Sequence, residues 1–207
     1  SEAGLTREEK AGIRKLDELI ALEKVDYQDV LNMRDADDIL KGGTNAVDDI
    51  TDLARITQKS LIESVENSEE GSKALTNLQK GNYGEMKMDE FFEKQGYQRI
   101  STDRVIDLNY QTHQGIDGVY YNPNGHPPYI IGEAKYGSSK LTTLADGTPQ
   151  MSDKWIIDRL ENAVGEEMAN NIKMQMILNP ENVGSSLVHI SPDGTVDMIK
   201  LIDGNMQ

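Results

Sequence analysis

The sequence predicts an α/β protein in which a helical amino-terminal region precedes a mixed β-sheet flanked by helices. Proline is absent before Pro123, and apolar residues in the first 80 positions recur at helical spacing. Later in the chain, short runs of β-branched and aromatic residues are separated by turn-forming clusters, which is typical of strands. Helical patterns lie between these strands, so a sheet covered by helices is the expected architecture.

The amino-terminal region carries several helix signals. Thr6 and Glu9 are three residues apart in the pattern of a capping box, and apolar residues follow at helical spacing. Two further helices are predicted at Tyr27–Leu40 and Thr44–Val65. A small helical bundle is the expected structure of this region.

A polar break at Ser68–Ser72 separates the helical region from the mixed pattern that follows. We therefore predict two parts, a helical region over 1–75 and an α/β domain over 76–207. The first helix of the second part is predicted at Tyr83–Gln95. Glu85 falls in its first turn, where the helix dipole by itself favours an acidic side chain.

A β-hairpin is predicted around the turn-forming cluster Asn122–Pro128. Apolar runs at Ile116–Tyr121 and Tyr129–Ile131 flank this cluster. Centring the turn near its Asn-Gly pair places Asp117 opposite a residue within two positions of Glu133. Glu133 and Lys135 are two residues apart, so in a strand their side chains leave the same face.

Two carboxylates and an ammonium on one face of a hairpin have a chemical use. Carboxylate oxygens can hold a divalent cation, which polarises a phosphate and lowers the pKa of water. An ammonium can stabilise the negative charge of the transition state. The alternative is a half-exposed sheet whose solvent face carries Asp117, Glu133 and Lys135 without function.

An aspartate on one strand and Glu-x-Lys on the next resemble the PD-(D/E)XK, restriction-endonuclease-like nuclease core, with Asp117, Glu133 and Lys135 in the motif positions. The wider frame runs from GNYGEMKMDEFF through GIDGVYYN and IIGEAKYG to QMSDKWI. It is similar to the carboxy-terminal toxin domains of bacterial contact-dependent growth inhibition proteins, and the resemblance covers Gly81–Asp203. Ile116 stands where the motif name has proline.

The resemblance implies a restriction-endonuclease-like mixed sheet and metal-dependent hydrolysis of phosphodiester bonds. A glutamate on the first helix commonly joins the metal site of that core, which implies Glu85 as a third ligand beside Asp117 and Glu133. Lys135 would be the fourth catalytic residue. DNA is the favoured substrate, and tRNA is the alternative on the same fold.

The same resemblance implies a biological setting. The chain would be the carboxy-terminal part of a larger secreted or cell-surface protein, and it would act in the cytoplasm of a target bacterium. Residues 1–75 would take the place of the segment that assists entry. A cognate immunity protein would bind the nuclease tightly and neutralise it.

The identity of the metal is left open by the residues. Three carboxylates favour hard cations such as Mg²⁺ or Mn²⁺. Zn²⁺ also accepts carboxylate oxygens, and it would gain a nitrogen ligand if the loop brought His113 to the site. The resemblance to growth-inhibition DNases favours zinc.

The remaining elements complete the predicted sheet. Short strands are expected at Tyr97–Ser101 and Val105–Tyr110, and helices at Met151–Val164 and Glu166–Leu178, with a second hairpin formed by Ser185–Ser191 and Thr195–Ile202. Ser152 is the expected N-cap of the first of these helices. Trp155 is expected in the core. Gln150 and Lys154 stand where the resemblance expects polar residues near the scissile phosphate.

Composition limits the other possibilities. The chain has 207 residues and no cysteine, which excludes disulfides and cysteine-based zinc sites. No apolar run approaches the ~20 residues of a membrane helix. The net charge of −15 argues against general binding of nucleic acid and favours a rival hypothesis, a non-catalytic acidic module that binds a protein.

Tyr120, Tyr121 and Tyr129 near the hairpin turn are candidate anchors for a partner, or else pack inside the domain.

Overall fold

The computed structural model describes residues 44–111 and 114–207, with side chains described from residue 51 onward. It is an α/β protein, as predicted, and the helices expected before residue 41 lie outside the described residues. The helices are α1 (Thr44–Glu66), α2 (Asn77–Lys94), α3 (Asp153–Ile157), α4 (Leu160–Val164) and α5 (Glu166–Leu178). The strands are β1 (Gln98–Arg99), β2 (Gly118–Tyr121), β3 (Tyr129–Tyr136), β4 (Val183–Ile190), β5 (Val196–Ile202) and β6 (Asn205–Met206).

The six strands form one mixed sheet in the order β1-β2-β3-β4-β5-β6. Neighbouring strands are antiparallel except for β3 and β4, which run parallel. A parallel pair needs a crossover connection, and here α3, α4 and α5 lie in the chain between the two strands. The two predicted hairpins are confirmed as β2–β3 and β4–β5.

Alternate residues of the strands feed two hydrophobic clusters on opposite faces of the sheet. Val119 and Ile131 pack with residues of α3, α4 and α5. Tyr120 and Ile130 pack with residues of α1 and α2. This alternation follows from the two-residue period of a strand, and it explains why both hairpin strands are apolar almost throughout.

Helix α1 belongs to the second of these clusters. Its Ile62 and Val65 are buried against α2 and the sheet, and the Gln58 amide donates to Asp89 Oδ2 of α2 at 2.8 Å. The predicted division between residues 75 and 76 stays a prediction. The described part of the first region nevertheless shares a hydrophobic core with the second.

Three local predictions are corrected by the structure. Helix α2 begins at Asn77 rather than Tyr83, because Thr76 caps it in a capping box with Gln79. The helix predicted over Met151–Val164 is two short helices, the first of which Ser152 caps as expected. Val105–Tyr110 forms no strand and connects β1 to β2 as an irregular segment.

The structure decides between the two alternatives left open for the hairpin tyrosine Tyr120. Tyr120 is fully buried, and its hydroxyl donates to Asp89 Oδ1 at 2.6 Å, so it packs inside the domain. Tyr121 and Tyr129 are half-buried and stack with ring centroids 4.8 Å apart. Of the helices in 44–111 and 114–207, none combines the length and the apolar character that a membrane span requires.

Candidate active site

A cleft of about 950 Å³ opens at the β2–β3 hairpin, and all four predicted site residues line it. Asp117 immediately precedes β2, Glu133 and Lys135 lie on β3, and Glu85 lies on α2. Helix α2 packs on one face of the sheet, whereas Glu133 shares the strand alternation of Ile131, which packs on the other face. The cleft therefore gathers side chains from both sides of the sheet.

The hairpin register brings Asp117 to Glu133, as the turn chemistry predicts. Gly118 pairs with Gly132 in this antiparallel hairpin. Continuing the same register by one residue, away from the turn, places Asp117 beside Glu133. Asp117 Oδ2 accepts a hydrogen bond from the Ala134 backbone N–H at 2.9 Å. This bond fixes the Asp117 carboxylate against β3.

Glu133 is the most enclosed of the site residues, with a side chain 4% exposed. Its Oε1 accepts hydrogen bonds from Lys135 Nζ at 2.9 Å and from the Gln150 side-chain amide. Its Oε2 is buried, and it has no hydrogen-bond partner in the described part of the chain. Burying a polar atom without a partner costs about 1–3 kcal/mol, so this oxygen is a candidate contact for a ligand.

Glu85 carries a second buried and unpartnered oxygen, Oε2. Because α2 starts at Asn77, Glu85 lies in its third turn, and the helix dipole no longer explains an acidic residue there. A glycine allows the close packing that brings α2 to the site. A Cβ at Gly132, directly before Glu133, would meet Met88 Sδ at 2.8 Å.

The electrostatics of the two glutamates are those of crowded, desolvated carboxyls. Burial, with the charge of Asp117 next in importance, raises the pKa of Glu133 to about 8 even though Lys135 opposes the shift. Burial and Asp117 also raise the pKa of Glu85 well above its ordinary value. Asp117 is therefore the charge that links the two glutamates, and Glu133 can bind or release a proton near neutral pH.

Asp89, an acidic residue one turn after Glu85, belongs to a different structure. It is fully buried and accepts hydrogen bonds from Arg99 Nη1 at 2.8 Å, Tyr120 and Gln58. Burial raises its pKa, but the Arg99 and Arg104 guanidinium groups outweigh that effect and lower it. This network ties α1, α2 and β1 together and does not line the cleft.

Two cleft residues were missed by the sequence prediction, Lys80 and Arg159. Lys80 lies in the first turn of α2, and it becomes a candidate only when the helix is started at the Thr76 capping box. Arg159 lies between α3 and α4, inside what was predicted as a continuous helix. Gln150 was expected near the site and lines the cleft, whereas the expected Lys154 pairs with Asp158 at 2.6 Å.

The fit to a metal ion rests on the two orphaned oxygens. Two carboxylates in a cleft with unpartnered, buried oxygens and raised pKa values are chemically suited to a divalent cation. Across 44–111 and 114–207, however, no three His, Cys, Asp or Glu side chains are gathered into a ready metal site. His113 lies outside the described residues, and His189 contacts the Gly137 carbonyl at 2.6 Å instead of lining the cleft.

Comparisons of the chain with protein-family models, with curated proteins and with solved structures found no match in any of the three.

Proposed function

We propose that this protein is a metal-dependent nuclease, with DNA as the favoured substrate. The observation that carries the proposal is the pair of buried carboxylate oxygens without partners, on Glu85 and Glu133, beside Lys135 in an open cleft. By contrast, the buried structural carboxylate of Asp89 accepts hydrogen bonds from three side chains. Carboxylates left unsaturated next to solvent-accessible space are better explained by a ligand than by stability.

Each site residue has a role in this proposal. Glu85, Asp117 and Glu133 would hold a divalent cation, with Zn²⁺ favoured and Mg²⁺ or Mn²⁺ as alternatives. Such a cation supplies Lewis-acid polarisation of the phosphate and lowers the pKa of water. Lys135 is anchored by Glu133 Oε1 at 2.9 Å and stabilises negative charge on a phosphate oxygen.

Gln150 supports this arrangement from the loop that follows β3. Its amide nitrogen donates to Glu133, and its Oε1 accepts from the Thr142 backbone N–H at 3.1 Å. The loop is thereby attached to the carboxylate that it covers. Gln150 orients Glu133 so that Oε1 faces donors and Oε2 remains available.

The biological role proposed with this activity is that of an antibacterial toxin. The chain would reach the target cytoplasm as the carboxy-terminal part of a larger secreted or cell-surface protein, with residues 1–75 assisting entry. A nuclease active in the cytosol would damage the cell that makes it. A cognate immunity protein is therefore the proposed partner.

The net charge of −15 favours one rival, a non-catalytic acidic module that binds a protein. The decisive experiment incubates the full chain with supercoiled plasmid and with bulk tRNA, each with Zn²⁺, Mg²⁺, Mn²⁺ or a chelator. The nuclease proposal expects cleavage that the chelator stops and that Asp117→Asn and Glu133→Gln abolish. Glu69→Gln, which changes an exposed glutamate outside the cleft, is the matched control and should cleave like wild type. The acidic-module hypothesis expects no cleavage with any metal.

A further inference from the structure

Two cations of the cleft are held by aromatic rings instead of carboxylates. Lys80 Nζ lies 5.7 Å from the centroid of the Tyr136 ring. Arg159 Cζ lies 4.5 Å from the centroid of the Trp155 ring, and its Nη1 donates to the Trp155 carbonyl at 3.2 Å. Cation–π contact orients a positive charge while leaving that charge uncompensated.

Other basic residues in the described part of the chain are used differently. Ion pairs with Asp or Glu engage seven of them: Arg55, Lys87, Lys94, Arg99, Arg104, Lys135 and Lys154. Within 44–111 and 114–207, neither Lys80 nor Arg159 forms an ion pair, although the chain has 36 acidic residues. An oriented cation without a carboxylate in so acidic a protein is available to an anionic ligand.

The two cations approach the cleft from opposite sides. Lys80 belongs to α2, on the face of the sheet that carries Tyr120, and Arg159 lies between α3 and α4 on the face that carries Val119. Between them, Asp117, Glu133 and Lys135 come from the β2–β3 hairpin, and Glu85 comes from α2. The three site carboxylates equal Lys80, Lys135 and Arg159 in number, so the cleft lacks the excess of acidic residues found in the chain as a whole, whose net charge is −15.

The chemistry of the ligand follows from what these groups can contact. Guanidinium and ammonium groups both bind phosphate, the former through a planar fork. Trp155 is 3% exposed beneath Arg159, so that side of the cleft cannot stack a base. Contacts to phosphates position a strand without reading its sequence.

We infer that Lys80 and Arg159 bind the sugar–phosphate backbone of a nucleic acid on the two sides of the scissile phosphate, without base recognition. This inference rests on the proposed nuclease function and names the positioning residues for its substrate. The strand would cross the cleft between the two cations, with Lys135 and the carboxylates at the phosphate between them.

The test measures binding of fluorescently labelled DNA and RNA oligonucleotides by anisotropy over a series of salt concentrations. The full chain carries Asp117→Asn so that it does not cleave the probe. Lys80→Gln and Arg159→Gln are each expected to weaken binding about three- to tenfold, uniformly across sequences, and to reduce the salt slope by about 0.7–0.9. Lys200→Gln, which alters an exposed lysine outside this cleft, should leave both quantities unchanged.

Arg159→Lys distinguishes the effect of the positive charge on DNA binding from the effect of guanidinium packing on Trp155. It retains the positive charge, so it should keep the wild-type salt slope, and unfolding midpoints confirm that each variant is folded. Salt slopes of Lys80→Gln and Arg159→Gln equal to that of Lys200→Gln would overturn the inference, even in a protein that cleaves. Reduced slopes in a protein that cleaves nothing with any metal would support backbone binding by Lys80 and Arg159 and refute the proposed nuclease.

Discussion

Glu133→Gln should change how the stability of the protein depends on pH. Burial and the charge of Asp117 raise the pKa of Glu133 from 4.5 to about 8. Between those two values the folded protein holds a proton on Glu133 that the unfolded chain has released. The stability contributed by this proton is fully present below pH 4.5 and is lost as the pH rises through about 8. Glutamine does not titrate, so the variant should lose this dependence.

The size of the effect follows from the shift. One pKa unit corresponds to about 1.4 kcal/mol. The full shift therefore sets an upper bound of about 5 kcal/mol on what the proton of Glu133 contributes to the free energy of unfolding. From about pH 6 to about pH 9, the wild type should lose about 2–3 kcal/mol through Glu133. Glu85, whose pKa is raised by the same burial and the same neighbour, adds to the loss in the same direction.

Urea unfolding followed by the fluorescence of Trp155, the single tryptophan and a buried one, measures this dependence. Glu69→Gln is the control and should parallel the wild type, because Glu69 is exposed. If the free energy of unfolding depended on pH in the same way for wild type and Glu133→Gln, the reasoning would be refuted. Glu133 would then carry no proton that the unfolded chain lacks. At about pH 8, a divalent cation should raise the unfolding midpoint of the wild type more than that of Glu133→Gln.

Three further predictions follow from the same contacts. Lys135→Ala should lower turnover and leave the affinity for a divalent cation unchanged by calorimetry, because an ammonium is not a metal ligand; a parallel loss of affinity would contradict this role. Asp89→Asn should lower the free energy of unfolding by about 3–5 kcal/mol, because it removes the buried carboxylate that pairs with the Arg99 guanidinium. A loss below about 1 kcal/mol would count against the network. A chain of residues 76–207 should have a free energy of unfolding at least about 3 kcal/mol lower than a chain of residues 44–207, because two buried aliphatic side chains of α1 are removed. Equal unfolding midpoints would establish the shorter chain as an independent unit.

The β2–β3 hairpin shows what sequence can predict well. Its turn residues and alternating pattern are local, and they set Asp117 beside Glu133 and put Lys135 on the same side as Glu133. Helix α1 was likewise predicted to within one residue, at Thr44–Val65 against the observed Thr44–Glu66. Local signals were sufficient in both cases because each element is defined by contacts within itself.

The start of α2 was predicted six residues too late although its capping box is a local signal. The apolar anchors of α2 favoured a start at Tyr83, while the Thr76 capping box adds a turn and a half that carries few apolar residues. Lys80 was overlooked for that reason. For Tyr120 the sequence left open an exposed anchor or a buried residue, and the hydrogen bond from its hydroxyl to the buried Asp89 carboxylate on α2 favours burial.

The acidity of the chain is the strongest sequence argument against nucleic-acid binding. The charges that line the cleft weaken this argument. Net charge opposes binding of a polyanion only where the charges face it. At neutral pH without a cation, a pKa of about 8 leaves Glu133 mostly protonated, so the cleft is less negative than its carboxylates suggest. A divalent cation bound at the carboxylates would displace that proton and add positive charge to the cleft. Lys80 and Arg159 already stand on the two sides without carboxylate partners. The distribution of charge within the cleft, and not the total of −15, is therefore the quantity that decides whether a phosphate can enter.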